Sequence, residues 1–326
     1  MDKEQFLIEF GDDYGYPLGP KTIDEIRATE FKRLVNDTVY LDHAGATLYS
    51  ELQMEAVFKD LTSNVYGNPR ILLKQDSQSD SSMATSEVIR ECRQQVLDYC
   101  NASAKEYKCI FTSGATSALK LVGEAFPWSN QSCFVYTMEN HNSVIGIREY
   151  PLLICLMSRY ALSRGAAAAA ADVEELVDQK TLYTNRKTLF KVSQHAIQRR
   201  NSNRFLEEGG VGNTYHLFAF PSECNFSGVK FNLDLVKAVK EHSQETFKSS
   251  TVTKGDWLVL IDAAKGSATE PLDLSKYPAD FVVISFYKMF GYPTGLGALI
   301  VRNGEVKEEG EEGGGEVQRL QTRHAT

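Results

Sequence analysis

The sequence predicts an α/β fold in which a mostly parallel sheet is flanked by helices. Short runs of β-branched and aromatic residues, such as 259–264 and 281–286, are typical of buried strands. Longer segments with apolar residues at helical spacing, such as 81–100, lie between such runs. In sheets of this kind, ligands bind at the carboxyl ends of the strands. The residues that follow each predicted strand are therefore the first candidates for a functional site.

The predicted elements extend over most of residues 22–303. Helices are expected at about 22–34, 51–68, 81–100, 117–126 and 232–243. Strands are expected at about 108–112, 132–138, 216–221, 259–264 and 281–286, and the chain becomes strand-like from Val39. After the last of these strands, Gly291, Pro293, Gly295 and Gly297 argue against a regular helix.

The composition is that of a soluble globular protein. The chain has 326 residues, of which 42% are hydrophobic and 24% charged. No segment approaches the ~20 apolar residues of a membrane-spanning helix, and the first residues lack the apolar core of a signal peptide. We therefore expect a cytosolic protein without membrane contact. The formal net charge of −8 argues against nucleic acid as the main partner, because phosphate binding relies on clustered Lys and Arg.

The six cysteines show no metal-binding pattern. None is arranged as Cys-x-x-Cys, so we predict no metal site and expect mostly buried thiols. Cys224 follows a predicted strand close to the candidate site. A sulfur-carrying role is one interpretation of this thiol, but a structural role is the one that we favour.

Lys288 stands at the end of the predicted strand 281–286, among Tyr287, Met289 and Phe290. Desolvation by such neighbours disfavours the charged form of an amine and makes its neutral, nucleophilic form accessible. A lysine that forms a Schiff base needs this property. The alternative interpretation is a lysine that ends a strand and reaches solvent.

A carboxylate in the preceding strand decides between these interpretations. Asp262 lies within the apolar run 259–264, where packing alone gives no reason for an acid. Pyridoxal phosphate (PLP) requires a lysine that holds its aldehyde as an imine and an acid beside its pyridine nitrogen. Lys288 and Asp262 together therefore indicate a PLP site.

A phosphate cradle is predicted where the strand at 108–112 leads into a helix. The turn Ser113-Gly114-Ala115-Thr116 opens this helix, and a helix start offers unpaired N–H groups and the positive end of the helix dipole. Ala115 and Thr116 are the candidate contacts for a dianionic phosphate. The pattern is common in proteins, and it indicates phosphate here because a PLP site is already predicted.

Six stretches of the chain carry a resemblance to a known family. They include Glu-Asn-His-Asn-Ser-Val and Ile-Asp-Ala-Ala-Lys-Gly, and in full they are 39–50, 112–122, 139–144, 220–228, 261–266 and 281–299. On these motifs the chain resembles the cysteine desulfurase branch of the fold-type I, class V aminotransferase-like enzymes. Within that branch it is most similar to the N-terminal domain of the molybdenum cofactor sulfurases. The resemblance implies a large PLP-binding domain with a mostly parallel, seven-stranded sheet.

The resemblance also implies roles for residues at the strand ends. Lys288 would hold PLP and move the substrate proton, and Asp262 would keep the pyridine nitrogen charged. His141 would stack on the ring, with Asn140 as a weaker candidate for the same place. Asn225 would lie beside the phenolic oxygen of the ring.

The remaining carried-over residues concern the phosphate. Thr116, Ala115 and Ser285 would hold it. Two positions depart from the pattern of many desulfurases, because Lys265 stands where they have glutamine and Tyr287 where they have histidine. No role is carried over to either position.

The reaction that the resemblance implies is removal of sulfur from L-cysteine. In the family, the sulfur passes through a cysteine persulfide to the molybdenum cofactor, which activates xanthine dehydrogenase and aldehyde oxidase, and homodimers are expected. Two alternatives stay open. The chain could be another cysteine desulfurase or a selenocysteine lyase, or it could be a truncated, non-catalytic form of the sulfurase.

The predicted domain organisation has three regions. They are an N-terminal arm at 1–38, the PLP-binding domain at 39–303 and a disordered Glu/Gly-rich tail at 304–326. Relative to the family, we expect insertions at 70–76 and 151–160 and a variable loop region at 172–212. The small domain, the loop with the catalytic cysteine and the domain that handles the molybdenum cofactor are expected to be largely missing.

Overall fold

The computed structural model describes residues 2–11, 19–34, 38–69, 79–129, 132–150, 159–164, 190–194, 214–246 and 255–303. The predicted insertion at 70–76 and the predicted tail at 304–326 lie outside these residues, as do most of the segments 151–160 and 172–212. The chain divides into two compact units, Met1–Val88 with Phe290–Tyr292, and Ile89–Met289 with Pro293–Thr326.

The first unit consists of helices and extended segments. Its helices are α1 (Lys3–Phe10), α2 (Ile23–Glu30), α3 (Glu51–Ser63) and the first part of α4 (Asp80–Tyr99). α2 begins with a capping box, in which Thr22 and Glu25 accept hydrogen bonds from each other's backbone N–H groups. The strand-like character expected from Val39 is wrong, because residues 38–50 contain no strand and the backbone turns after Asp42.

The second unit is built around one eight-stranded sheet. Its strands are β1 (Tyr107–Thr112), β2 (Phe134–Thr137), β3 (Arg159–Arg164), β4 (Phe190–Gln194), β5 (Tyr215–Pro221), β6 (Asp256–Asp262), β7 (Phe281–Ser285) and β8 (Gly297–Arg302). They lie in the order β1-β8-β7-β6-β5-β2-β3-β4. β8 is antiparallel to both of its neighbours and β4 is antiparallel to β3, while the other strands all run in one direction.

The α/β class and the mostly parallel sheet are confirmed, but the predicted number of seven strands is wrong. β4 lies within the segment 172–212, for which the sequence predicts loops, and β3 begins within the predicted insertion 151–160. β8 follows a glycine-rich stretch in which no strand is predicted. Its residues 298–300 are buried because β8 pairs with β1 on one side and β7 on the other.

Helices pack on both faces of this sheet. Besides the second part of α4, they are α5 (Ala115–Ala125), α6 (Asn142–Ile145), α7 (Leu235–Thr246) and α8 (Phe286–Phe290). Phe218 and Val259 share an apolar cluster with residues of α4 and α7, whereas Leu217 and Leu260 share another with residues of α5. Successive residues of a strand point to opposite faces, so both faces of β5 and β6 are buried. This burial explains why these strands are continuous apolar runs.

The direction of the strands determines where a ligand can bind. Because β1, β2, β5, β6 and β7 run the same way, their carboxyl ends lie at one edge of the sheet. The turns at this edge contain the residues predicted from the sequence. Among the described residues, no helix combines the length and the apolar character that crossing a membrane requires.

Candidate functional site

All seven residues predicted to form the site lie at this edge of the sheet. They are Ala115 and Thr116 after β1, His141 after β2, Asn225 after β5, Asp262 at the end of β6, Ser285 at the end of β7, and Lys288 on α8. The topology therefore brings together residues from five separate parts of the chain.

Lys288 lies on the five-residue helix α8 and is 9% exposed. The expectation that no helix follows β7 is wrong for these residues, because one turn fits before Gly291, which adopts a positive φ of 77°. Nζ of Lys288 donates a hydrogen bond of 2.6 Å to Oδ1 of Asn225. Its burial contradicts the alternative interpretation of a lysine that reaches solvent.

The surroundings of Lys288 favour its neutral form. Burial lowers the pKa of the amine. The negative charge of Asp262 acts in the opposite direction, and the positive charge of Lys265 lowers the pKa further. The amine is therefore neutral at a lower pH than an exposed lysine, and the neutral form is the one that acts as a nucleophile or accepts a proton.

Asp262 is the last residue of β6, between β5 and β7, and is 6% exposed. Its Oδ1 accepts a hydrogen bond of 3.0 Å from the backbone N–H of Ala264. Burial raises the pKa of its carboxyl group, whereas this hydrogen bond and the charges of Lys288 and His141 act to lower it. A buried acid in this position can balance a positive charge on a ligand.

His141 is exposed and caps the start of α6. Its Nδ1 accepts a hydrogen bond of 3.2 Å from the backbone N–H of Ser143 and lies 3.0 Å from Oγ of the same residue. A backbone N–H can only donate, so Nδ1 provides the lone pair and the neutral ring carries its proton on Nε2. The ring is thus held in one tautomer.

Asn140, the weaker candidate for the stacking position, has a different environment. It is buried, and its Nδ2 lies within 2.9 Å of the backbone oxygen of Thr137 and within 3.0 Å of the backbone oxygen of Ala219. These contacts join the turn after β2 to β5. The Nδ2 group of Asn140 is committed to the protein backbone, and its Oδ1 is buried without a hydrogen-bond partner among the described residues. The ring of His141, in contrast, is exposed.

The start of α5 has the geometry of an anion cradle. Gly114 precedes the helix with a φ of 117°, which favours glycine, and at this N-cap position it has no side chain to bond to the helix. Among the described residues, no atom lies within 4 Å of where a Cβ on Gly114 would stand, so they leave space beside this turn. Oγ1 of Thr116 lies 2.9 Å from Oγ of Ser143, which connects the cradle to the turn that carries His141.

Ser285 adds an unsatisfied polar atom near this cradle. Its Oγ is buried and has no hydrogen-bond partner among the described residues. Ser285 pairs with Gly297 across the sheet, and Gly297 pairs with Thr112 at the end of β1. A buried hydroxyl without a partner costs free energy, so this atom fits a site where a ligand supplies the missing hydrogen bond.

Two features of the site escape the sequence-based reasoning. One is the Ser143 hydroxyl, which lies between Thr116 and His141. The other is an ion pair between Glu223 and Lys265, near Lys288. The sequence gives one signal for this ion pair, which is that Glu223 and Lys265 each follow the end of a strand. Nothing in the sequence indicates that these two side chains meet. Among the described residues, no cluster of His, Cys, Asp and Glu could hold a metal ion.

Comparison with known proteins identifies relatives of the chain. The family model "Aminotransferase class-V" matches residues 39–149 and 245–326. The molybdenum cofactor sulfurase of Arabidopsis thaliana is 61% identical over 305 residues, which are 93% of this chain and 35% of that protein. The molybdenum cofactor sulfurase of Solanum lycopersicum is 62% identical over 308 residues, which are 94% of this chain and 35% of that protein. The chain thus spans about a third of the length of these curated relatives.

Solved structures share the fold at low sequence identity. The cysteine desulfurase CsdA from Escherichia coli has a TM-score of 0.54 and 18% identity, over 87% of this chain and 58% of that one. A mutant of C-DES with glycine covalently linked to its PLP cofactor has a TM-score of 0.54 and 16% identity, over 85% of this chain and 59% of that one. Because the family model covers more than half of its residues, the chain belongs to the class-V aminotransferase family.

Proposed function

We propose that the chain is the PLP-dependent part of a molybdenum cofactor sulfurase and that it takes sulfur from L-cysteine. The observation that carries the proposal is the buried pair of Lys288 and Asp262 at the ends of neighbouring strands. The names of the relatives support the sulfurase activity, and the cysteine desulfurase CsdA and the PLP-containing C-DES mutant of the same fold support the cofactor.

The residues present fit the phosphate of PLP. The uncapped start of α5 offers the backbone N–H groups of Ala115 and Thr116 and the Thr116 hydroxyl. The buried hydroxyl of Ser285, which has no partner within the described residues, would complete the cradle. These groups together supply several donors and a positive helix end for a dianion.

The residues around Lys288 fit the ring of PLP. Asp262 would lie beside the ring nitrogen, His141 would stack on the ring, and Asn225 would lie beside the phenolic oxygen. When bound, PLP supplies an aldehyde that captures an amino group and a ring that stabilises negative charge on the substrate carbon.

The protein's own contribution to the chemistry is to place charges and protons. The neutral amine of Lys288 acts as the nucleophile that holds the cofactor and afterwards as the base that takes a proton from the substrate. Asp262 keeps a negative charge next to the ring nitrogen. In its neutral form, His141 carries its proton on Nε2 and presents a flat ring with an N–H donor at its edge.

The further partners concern the whole protein. We propose that the sulfur is passed to the molybdenum cofactor, in keeping with the name of the relatives. Xanthine dehydrogenase and aldehyde oxidase as the final recipients stay an expectation from the resemblance. The formation of a homodimer and a cytosolic location stay predictions from the sequence.

Borohydride reduction in the presence of PLP, followed by peptide mapping, tests the proposed function. We expect a stable pyridoxyl label on Lys288, and we expect Lys288→Ala to lose the visible absorbance of bound PLP. Lys276→Ala, which changes an exposed lysine, is the control, and this variant should keep both the label on Lys288 and the absorbance of bound PLP. A label on a different lysine would overturn the assignment.

Turnover of the substrate provides a second measurement. With an added thiol that accepts the sulfur atom, the native chain with PLP should convert L-cysteine to alanine and a persulfide of that thiol, from which a second thiol molecule releases sulfide as the two form a disulfide. Lys288→Ala should produce neither alanine nor sulfide. A clear preference for selenocysteine over cysteine would instead favour the selenocysteine lyase alternative.

A further inference from the structure

Glu223 is anchored through both of its carboxylate oxygens. Oε1 accepts a hydrogen bond from Nζ of Lys265, and Oε2 accepts one of 2.7 Å from Oγ1 of Thr269. The side chains of Glu223 and Lys265 are only 6% and 16% exposed. The conformation of Glu223 is therefore set by two partners in a largely water-free environment.

This anchor joins two turns of the candidate site. Glu223 lies in the turn after β5, two residues before Asn225, whereas Lys265 and Thr269 lie in the segment that follows Asp262 at the end of β6. The two turns are also in close backbone contact, because the N–H of Ser222 donates to the carbonyl oxygen of Asp262 at 3.0 Å. Movement of one turn would thus disturb the other.

Gly266 shows how tightly these turns pack. A Cβ on this glycine would lie 2.1 Å from Oγ of Ser222. A distance this short excludes any larger residue unless the Ser222 side chain moves. The Glu223 anchor therefore holds two backbone segments that already touch.

The charge of Lys265 acts on the site. The positive charge of Lys265 lowers the pKa of the Lys288 amine, in opposition to the negative charge of Asp262. Buried ion pairs contribute little net stability, because the loss of hydration offsets the attraction between the charges. A role in stability alone does not account for this pair.

We propose that Glu223 is a positioning residue, which holds the Asn225 turn against the Lys288 amine and neutralises the positive charge that Lys265 presents to that amine. The inference rests on the proposed role of Lys288 as the reactive lysine. The charged groups around Lys288 are Asp262 and Lys265, with Glu223 acting through Lys265. His141 acts on Asp262.

The test measures how fast Lys288 is acetylated in the chain without PLP, as a function of pH, with peptide mass spectrometry as the readout. Glu223→Gln leaves Lys265 without its counter-charge, so Lys288 should react faster, by roughly threefold or more at a pH of about 8. Lys265→Gln removes the positive charge, so Lys288 should react more slowly by a similar factor. The double variant, in which the pair is neutral, should return towards the native rate.

An exposed ion pair between the same two segments provides the matched control. Lys230 and Glu270 form a bond of 2.8 Å, and their side chains are 48% and 68% exposed. Glu270→Gln should leave the acetylation of Lys288 unchanged, since solvent screens this pair. The proposal is overturned if both substitutions in the buried pair change the rate in the same direction, or by no more than the control does.

The outcome is independent of whether PLP binds, because acetylation needs no cofactor. Unfolding midpoints and near-ultraviolet circular dichroism verify that each variant is folded. If Glu223→Gln does not fold, Lys265→Gln and the double variant still show whether the charges of the buried pair change the acetylation rate of Lys288. PLP affinity, measured separately, should fall in Glu223→Gln, because glutamine has one acceptor oxygen where the carboxylate has two, and the anchor of the Asn225 turn loses one of its two bonds.

Discussion

The amine of Lys288 donates a hydrogen bond of 2.6 Å to Oδ1 of Asn225, although the two residues lie 63 positions apart in the chain. An amide oxygen can only accept, so this contact uses one N–H of the amine and leaves the nitrogen lone pair free when the amine is neutral. Asn225 can therefore orient Lys288 without blocking its reactivity.

Ser285→Ala should separate stability from cofactor binding. The Ser285 hydroxyl is buried without a partner within the described residues, so its removal should leave the free energy of unfolding of the PLP-free chain unchanged or raise it by up to about 1 kcal/mol. PLP affinity should fall, because the phosphate loses a donor. Urea unfolding and absorbance titration with PLP measure the two effects.

Ser267→Ala is the matched control for this serine. Ser267 is also buried, but its Oγ donates a hydrogen bond of 2.6 Å to the carbonyl oxygen of Ala263. Its replacement should lower the free energy of unfolding by about 1 kcal/mol. Equal destabilisation by both substitutions would contradict the view that the Ser285 hydroxyl awaits a ligand.

Asp262→Asn should change how stability depends on pH. Burial raises the pKa of this carboxyl group above its ordinary value of 3.8, so the native state binds the proton more tightly than the unfolded state does. The native chain without PLP therefore loses stability as the pH rises from 3.8 through the higher folded-state pKa. The variant lacks this loss, so its stability relative to the native chain should improve with pH in urea unfolding experiments.

Asp273→Asn provides a control of opposite sign. Hydrogen bonds from Ser275 and Asn101 lower the pKa of Asp273, so its contribution to stability is present above 3.8 and is lost as the pH falls. Asp273→Asn should lower the free energy of unfolding at neutral pH and have little effect on it in acid. The same pH trend in both aspartate variants would contradict the view that folding raises the pKa of Asp262 and lowers that of Asp273.

Ser143→Ala should weaken PLP binding while the tautomer of His141 is kept. The substitution removes the hydroxyl that lies 2.9 Å from Oγ1 of Thr116 and 3.0 Å from Nδ1 of His141, but the backbone N–H of residue 143 still donates to Nδ1. Because this hydroxyl bonds to Thr116 and His141 and not to the phosphate, affinity should fall by at most roughly fivefold, which corresponds to one hydrogen bond of about 1 kcal/mol. Fluorescence titration and ¹⁵N NMR of the imidazole measure both properties.

Ser86→Ala is the control for Ser143. Among the described residues, the Ser86 hydroxyl bonds to the backbone of α4 alone, at 2.8 Å from the oxygen of Ser82. Ser86→Ala should leave PLP affinity unchanged. A shift of the His141 proton from Nε2 to Nδ1 in Ser143→Ala would show that the hydroxyl, and not the backbone, determines the tautomer.

The thiols of β1 and of the end of α4 should be unreactive in the folded chain. Burial raises the pKa of Cys100 to about 12 and that of Cys109 to about 11, so both stay protonated at neutral pH. Iodoacetamide at a pH of about 8 should modify the half-buried Cys92 in the native chain and reach the other two only after denaturation. Mass spectrometry of the alkylated peptides tests this order.

Cys224 should not carry sulfur during turnover of L-cysteine. Its thiol is 6% exposed and accepts a hydrogen bond of 3.5 Å from the backbone N–H of Ser227, an arrangement that holds the side chain in place. A sulfur carrier must be mobile enough to reach the substrate. Accumulation of a persulfide on Cys224, detected by thiol trapping, would show that this interpretation is wrong.

Local sequence patterns predict that the candidate residues lie at one edge of the sheet, because each of them stands at the end of a strand or after it. Asp262 and Lys288 are recognisable as charged groups in apolar surroundings, and parallel strands bring their ends to one edge. The turn at Gly114 is recognisable from its glycine. The roles of these residues stay predictions.

Pairings between distant residues are what the sequence does not predict. β8 is an apolar run enclosed by glycines, and only its pairing with β1 and β7 makes it a strand. The short helix α8 forms although glycines follow it, because one turn needs few residues. Glu223 and Lys265 lie 42 positions apart, and no local pattern indicates that two charges at this separation meet.

The position of β1 in the sheet has a consequence for synthesis of the protein. Among the described strands, β8 is the single neighbour of β1, and Thr112 pairs with Gly297. The ribosome makes the chain from its N-terminus, so β1 emerges long before the strand that it pairs with. Nascent chains that stop before Gly297 should therefore leave β1 and the turn at Gly114 without support. Because such long-range pairing also slows folding, the cofactor should bind late in the maturation of the chain.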